Sequence, residues 1–85
     1  MFKIIWSKKA EKFLFNVNRV LAKRIIKKIE KLSKNPFLNS RKLRGFDYYR
    51  YRIGDYRVIF DIDIKNKTII ILFLDHRKNI YREFK

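Results

Sequence analysis

The sequence predicts an α+β fold in which a mainly antiparallel four-stranded sheet carries a helical hairpin on one face. Two segments of the first half have the apolar spacing of amphipathic helices. Three segments of the second half have the patterns typical of strands, either apolar and polar residues in alternation or a continuous apolar run. A single hydrophobic core usually serves roughly 50 to 200 residues, and 47% of this chain is hydrophobic. We therefore expect one domain over residues 1–85, in the order β-α-α-β-β-β.

The first half is expected to form one strand and two antiparallel helices. Phe2–Trp6 is a β-branched and aromatic run that stops at Ser7, a good N-cap. The helix after it covers Lys8–Val17, and Asn18 can cap a second helix that ends at Asn35-Pro36. Apolar side chains lie on one stripe of each helix and predict its buried face: Ala10, Phe13, Leu14 and Val17, then Leu21, Ile25, Ile29 and Leu32.

The second half is expected to supply three strands of the sheet. Residues 37–47 contain turn-forming residues and predict a connecting loop. Tyr48–Ile53 and Tyr56–Ile64 alternate with period two, as strands with one buried face do. Thr68–Leu74 is apolar on both faces, which predicts an inner strand. The charged and aromatic tail, Asp75–Lys85, is expected to form a short terminal turn or helix.

Charge is the strongest compositional signal. The chain has 23 Lys and Arg against 8 Asp and Glu, a formal net charge of +15. Such a balance favours nucleic acid as partner, then an acidic protein and then an anionic membrane surface, whereas the alternative is a merely solubilising lysine surface. The chain has no cysteine and only His76, which excludes thiol chemistry and His-rich zinc sites. The N-terminus has no signal-peptide pattern, so a cytoplasmic protein is expected.

Arginine is concentrated in the strand-forming half, and its expected register predicts an anion-binding face. If Gly54-Asp55 is a two-residue hairpin turn, Arg52 lies directly opposite Arg57, and Arg50 lies on the same face. Like charges so placed repel, and a bound phosphate would relieve the repulsion. The alternative is solvated arginines that pair with Asp55 or Asp61.

The next strand should return its end to the same end of the sheet, where Arg57, His76, Arg77 and Tyr81 would converge. These residue types suit RNA strand scission, in which the 2′-hydroxyl attacks the neighbouring phosphorus and the 5′-oxygen leaves. Arg57 and Arg77 would stabilise the phosphorane, Tyr81 would donate a proton, and His76 is a candidate for proton exchange. The alternatives are a Tyr81 that only packs under the tail and a His76 that only caps a strand end.

Three segments carry a resemblance to a known family: Lys42–Gly45, Tyr49–Phe60 with its Gly-Asp-Tyr-Arg-Val-Ile-Phe run, and His76–Tyr81. Together they resemble the RelE/ParE toxin superfamily, RelE-type mRNA interferase branch. The resemblance implies the RelE-like microbial RNase fold and a toxin of a type II toxin–antitoxin system. Such a toxin cleaves mRNA on the ribosome and inhibits translation without a metal or other cofactor. Its implied partners are the ribosome, mRNA and a cognate acidic RelB-like antitoxin, with operator DNA reached only through the antitoxin and no membrane.

The resemblance also implies residue roles. By position, Arg57 and Arg77 match the phosphate-stabilising arginines and Tyr81 the catalytic tyrosine, while His76 is similar to the histidine beside the tyrosine in the YoeB branch. The expected RNA contacts are Lys42, Arg44, Arg50 and Arg52. Arg50 and Arg52 match the basic strand pair of the family. Here the chain departs from RelE, which has lysines at these two positions. An arginine stays protonated and is a poor base, so His76 is the candidate base.

Three other functions are compatible with parts of the sequence. A ParE-type toxin shares the fold and inhibits DNA gyrase, but the combination of Arg57, Arg77 and Tyr81 argues against it. A non-catalytic RNA-binding module would account for the charge alone. A DNA-binding regulator ranks last, because the sequence has no recognisable helix-turn-helix signal.

Overall fold

A computed structural model describes residues 1–38, 40–43, 45 and 47–83, with side chains up to Ile80. The α+β class and the predicted element order are confirmed, with one additional strand and a terminal helix. The elements are β1 (Lys3–Trp6), α1 (Lys8–Asn16), α2 (Arg19–Lys34), β2 (Ser40–Lys42), β3 (Tyr49–Ile53), β4 (Tyr56–Asp63), β5 (Thr68–His76) and α3 (Arg77–Glu83).

The strands form one five-stranded sheet in the order β1-β5-β4-β3-β2. Strand β1 runs parallel to β5, and the other neighbours are antiparallel. The predicted meander of the last three strands is confirmed, and β5 is the inner strand that its apolar sequence predicts.

The prediction of a loop throughout residues 37–47 is wrong at Ser40–Lys42, which forms β2. This segment has no strand-like alternation of its own, and it is extended because it pairs with the free edge of β3. The Leu43 N–H donates to the Tyr48 carbonyl at 2.8 Å and closes the connection. The sheet therefore has five strands and not the predicted four.

Both predicted helix caps are confirmed. The Ser7 hydroxyl oxygen accepts from the Ala10 N–H at 3.1 Å, and its O–H donates to the Leu72 carbonyl at 2.7 Å. Leu72 is the extra residue of a bulge, because Ile59 pairs with Phe73 and Phe60 with Ile71. The second cap is Asn18, whose side-chain oxygen accepts from the Leu21 N–H at 2.8 Å.

The core lies between the helical hairpin and one face of the sheet. Of the predicted helix stripes, Ala10, Ile25, Ile29 and Leu32 are buried and Phe13, Leu14 and Leu21 pack against them, whereas Val17 ends α1 outside this cluster. The sheet completes the cluster with buried side chains: Ile53, Val58, Phe60, Ile69, Ile71 and Leu74. Ile59 is also buried, but it alternates with Val58 and Phe60 and so points to the opposite face. Helix α3 packs against β4 and β5 through a segment that contains the buried Ile80. The second face is mixed, with Ile5 and Ile70 in register across β1 and β5 and the arginines on β3 and β4.

Candidate nucleic-acid interface

Two pairs of arginines face each other across the sheet. Arg52 pairs with Arg57 across β3 and β4, as the two-residue turn predicts. Arg41 pairs with Arg50 across β2 and β3, which the sequence did not predict because β2 was assigned to a loop. Residues directly opposite each other share a face, and so do residues two apart in a strand. The four arginines therefore form one row on the face away from the helical hairpin, which we call the arginine row.

Arg57 is the fixed member of the arginine row. Its side chain is only 5% exposed, and its Nη1 group donates to the carbonyls of Gly54 at 2.8 Å and Tyr56 at 2.9 Å. Arg57 is thus not a solvated arginine held by Asp55 or Asp61. The two carbonyls are neutral, so they fix the guanidinium without cancelling its charge. Neither Nε nor Nη2 of Arg57 has a hydrogen-bond acceptor among the described residues. These two donors have the fork geometry that matches a phosphate.

The hairpin turn Gly54-Asp55 brings further cations to the same end of the sheet. Gly54 has a φ of +56° and Asp55 has a negative φ, the pattern of the predicted type II′ turn. The Arg77 N–H donates to the Asp55 carbonyl at 2.8 Å, so the first residue of α3 is anchored at the turn. The guanidinium of Arg24, from α2, also lies against Gly54. Sequence analysis missed Arg24, because no local pattern indicates which strand turn a helix residue will contact.

His76 lies at the predicted end of the sheet but faces the other way. It pairs with Tyr56, next to the pairing of Arg57 with Asp75, so the two pairs point to opposite faces. The His76 and Tyr56 rings are in edge contact, with centroids 5.5 Å apart. His76 Nδ1 accepts from the Lys78 N–H at 3.3 Å, which puts the proton of the neutral ring on Nε2. The structure brings Arg57 and Arg77 to one turn and places the His76 ring behind it.

Two side chains at the end of β5 organise the start of α3, and His76 is the one in the capping position, because its Nδ1 accepts from the N–H of Lys78, the second residue of the helix. The Asp75 carboxylate accepts from the His76 N–H at 2.7 Å and from the Asn79 side-chain amide at 3.0 Å. Arg77 is exposed at the first position of the helix. Tyr81 follows it by four residues within the same helix. The Tyr81 side chain lies outside the described part of the structure.

The other predicted RNA contacts are distributed differently. Arg50 and Arg52 belong to the arginine row. Lys42 pairs with Tyr49, which packs against the core, so Lys42 points to the helical side of the edge strand. Its Nζ lies 3.9 Å from the Asp47 carboxylate oxygen Oδ1. Arg44 lies outside the described residues. The register thus puts Arg41, and not Lys42, beside Arg50.

Comparison with known proteins agrees with this fold. The family model described as ParE toxin of the type II toxin-antitoxin system parDE matches residues 4–81. Toxin RelE3 of Methanocaldococcus jannaschii is 35% identical over 88 residues, which cover 96% of this chain and 98% of the relative. In the solved RelB–RelE antitoxin–toxin complex from Methanococcus jannaschii, the matched chain is 32% identical with a TM-score of 0.72, and the match covers 95% of this chain and 99% of that one.

A second solved structure shows the fold alone. The RelBE2 toxin–antitoxin complex from Mycobacterium tuberculosis contains a chain that is 24% identical with a TM-score of 0.82, covering 89% of this chain and 98% of that one. The fold, the arginine row and these matches define the class of the protein, a toxin of a type II toxin–antitoxin system. Within that class the chain belongs to the RelE/ParE toxin superfamily, as the sequence resemblance predicted. Among the described residues, none of the helices has the length and apolar character needed to span a bilayer.

Proposed function

We propose that this toxin is a ribosome-dependent mRNA endonuclease that inhibits translation in the cytoplasm. The observation that carries the proposal is the pairing of Arg52 with a buried, doubly hydrogen-bonded Arg57. Folding alone disfavours two guanidinium groups directly opposite each other, whereas a phosphate between them makes the arrangement favourable.

In the proposed reaction the 2′-hydroxyl oxygen attacks the adjacent phosphorus, and the bond from phosphorus to the 5′-oxygen breaks. The products are a 2′,3′-cyclic phosphate and a 5′-hydroxyl end. Negative charge grows on the non-bridging oxygens. The Arg57 Nε and Nη2 donors, which have no acceptor in the described part of the chain, and the Arg77 guanidinium would stabilise it. Because Arg57 is already fixed by the turn carbonyls, it need not reorganise during the reaction. Tyr81 would give its proton to the leaving 5′-oxygen.

His76 is the proposed acceptor of the 2′-hydroxyl proton, and its present geometry sets a condition on that role. Nδ1 is occupied by the Lys78 N–H, and the ring lies behind the arginine row. Proton uptake therefore requires that the Nδ1 contact open and the ring turn toward the substrate. A His76→Gln variant that cuts RNA as fast as the natural chain would assign the base elsewhere.

The partner that neutralises the toxin is proposed to be an acidic RelB-like antitoxin. The solved complexes of similar chains contain RelB, and a net charge of +15 attracts an acidic chain. Contact with operator DNA would come through the antitoxin, with this chain as corepressor.

The direct test is cleavage of a translated mRNA in a purified translation system, read as new 5′ ends. Arg57→Gln should slow cleavage about 100- to 1,000-fold, the usual loss when one donor to a developing oxyanion is removed. Tyr81→Phe should slow it about 100- to 10,000-fold, as for a lost general acid. Lys65→Gln is the matched control, because it removes one exposed cation from the turn between β4 and β5, at the far end of the hairpin. Intact mRNA with the natural chain, or equal losses in all three variants, would overturn the proposal.

Gyrase inhibition is the second candidate, because the matching family model is that of ParE toxins. Purified toxin would then leave translated mRNA intact and trap gyrase on supercoiled DNA. The two assays on the same preparation separate the candidates.

A further inference from the structure

Arg24 projects from α2 onto the hairpin turn that carries the candidate site. A Cβ built on Gly54 would lie 3.1 Å from Arg24 Nη2 and 3.8 Å from its Cζ. The same glycine accepts the Arg57 Nη1 hydrogen bond on its carbonyl at 2.8 Å. The guanidinium groups of Arg57, from β4, and Arg24, from α2, therefore both lie next to Gly54, which has no side chain.

No ion pair among the described residues accounts for the position of Arg24, although Asp55 follows Gly54 in the same turn. The one acidic residue of α2 is Glu30, more than a turn away, whereas Lys28 follows Arg24 at the i+4 position and repels it. Among the described residues Arg24 has no hydrogen-bond acceptor and no ion-pair partner. The turn does not depend on Arg24 either, because β3–β4 pairing and the two Arg57 bonds already close it.

We infer that Arg24 is a further RNA-binding residue, which binds the phosphate next to the one that is cut. This rests on the proposed function. Arg57 approaches Gly54 from the arginine row and Arg24 approaches it from the helical side, so an RNA strand that crosses the turn meets one guanidinium on each side of it. Arg24 contacts a flanking phosphate in this arrangement, equally in the ground state and in the transition state. Its loss should raise KM and leave kcat nearly unchanged.

The test is binding of the full-length toxin to a trinucleotide RNA with 2′-deoxyribose at the scissile position, which cannot be cut because the nucleophile is missing. Arg24→Gln should weaken binding about tenfold, as expected for a lost hydrogen bond to a charged group. The slope of log affinity against log salt should fall by about 0.7, the value for one phosphate contact in a single strand. Arg24→Lys, which keeps the charge, should keep the slope.

Lys31→Gln is the matched control, since it removes one cation from the same helix about 10 Å further along its axis, away from the two phosphates that Arg57 and Arg24 would bind. Thermal unfolding of each variant checks that the fold is kept. Equal affinities for the natural chain and Arg24→Gln, or a natural chain that does not bind, would overturn the inference. If binding depends on Arg24 but the natural chain cuts no mRNA, the RNA-binding role of Arg24 stands, whereas its place beside a scissile phosphate is overturned together with the nuclease proposal.

Discussion

Reversing the charge of Arg52 is expected to stabilise the fold and abolish RNA cleavage. Arg52 is exposed and lies directly opposite the buried Arg57, so the native pair is repulsive. A cross-strand pair contributes roughly 0.2 to 1 kcal/mol, with opposite signs for like and unlike charges. Arg52→Glu replaces the like-charge pair with an unlike-charge pair, so the lost repulsion and the new attraction add. Screening at the exposed position reduces the total gain in stability to about 1 kcal/mol. In a chain of this size that gain raises Tm by about 4–8 °C.

The assay is urea unfolding at 0.1 and 1 M salt, with Arg52→Gln as the neutral control. Arg52→Gln should show about half of the gain, because it removes the repulsion and adds no attraction. Both gains should shrink at high salt, where the Debye length is about 3 Å. The reasoning is refuted if Arg52→Glu is less stable than Arg52→Gln at low salt, or if their difference does not depend on salt. A variant that is more stable but inactive would show that the arginine row serves binding and not folding.

Three further predictions concern the turn, a helix cap and an acid-sensitive contact. Gly54→Ala and Gly45→Ala should each cost about 1–2 kcal/mol for their positive φ, and the two losses should be close, because the atoms near a new Cβ at Gly54 belong to the end of the exposed Arg24 side chain, which can move aside; a much larger loss at Gly54 in urea unfolding would contradict this. Ser7→Ala should cost about 2 kcal/mol by thermal unfolding, since the hydroxyl both caps α1 and donates to β5, and a loss close to zero would be inconsistent with both roles. Hydrogen bonds from Asn66 lower the pKa of Asp63 below 3.8, so the stability they contribute is present above that pH and is lost as pH falls through the lower folded value. Asn66→Ala should flatten this acid loss, and an unchanged acid transition would rule the contact out.

Local signals in the sequence predicted the helical hairpin and the central hairpin of the sheet. Ser7 and Asn18 are capping residues followed by apolar stripes, and both cap a helix in the structure. The Gly54-Asp55 turn fixes the register of its two strands through its length alone, so the pairing of Arg52 with Arg57 followed from the sequence. These features involve residues close together in the chain, whose conformations their neighbours largely determine.

The sequence by itself determined the basic character of the chain, its α+β class, its family and one arginine pair at the end of a hairpin. Only the tertiary structure decided the rest of the site. Strand β2 exists because the edge of β3 is free to pair, and this places Arg41 in the arginine row. The register of β5 turns His76 away from Arg57, and the packing of α2 brings Arg24 onto the turn. Each depends on contacts between segments far apart in the chain, which spacing along the sequence does not encode.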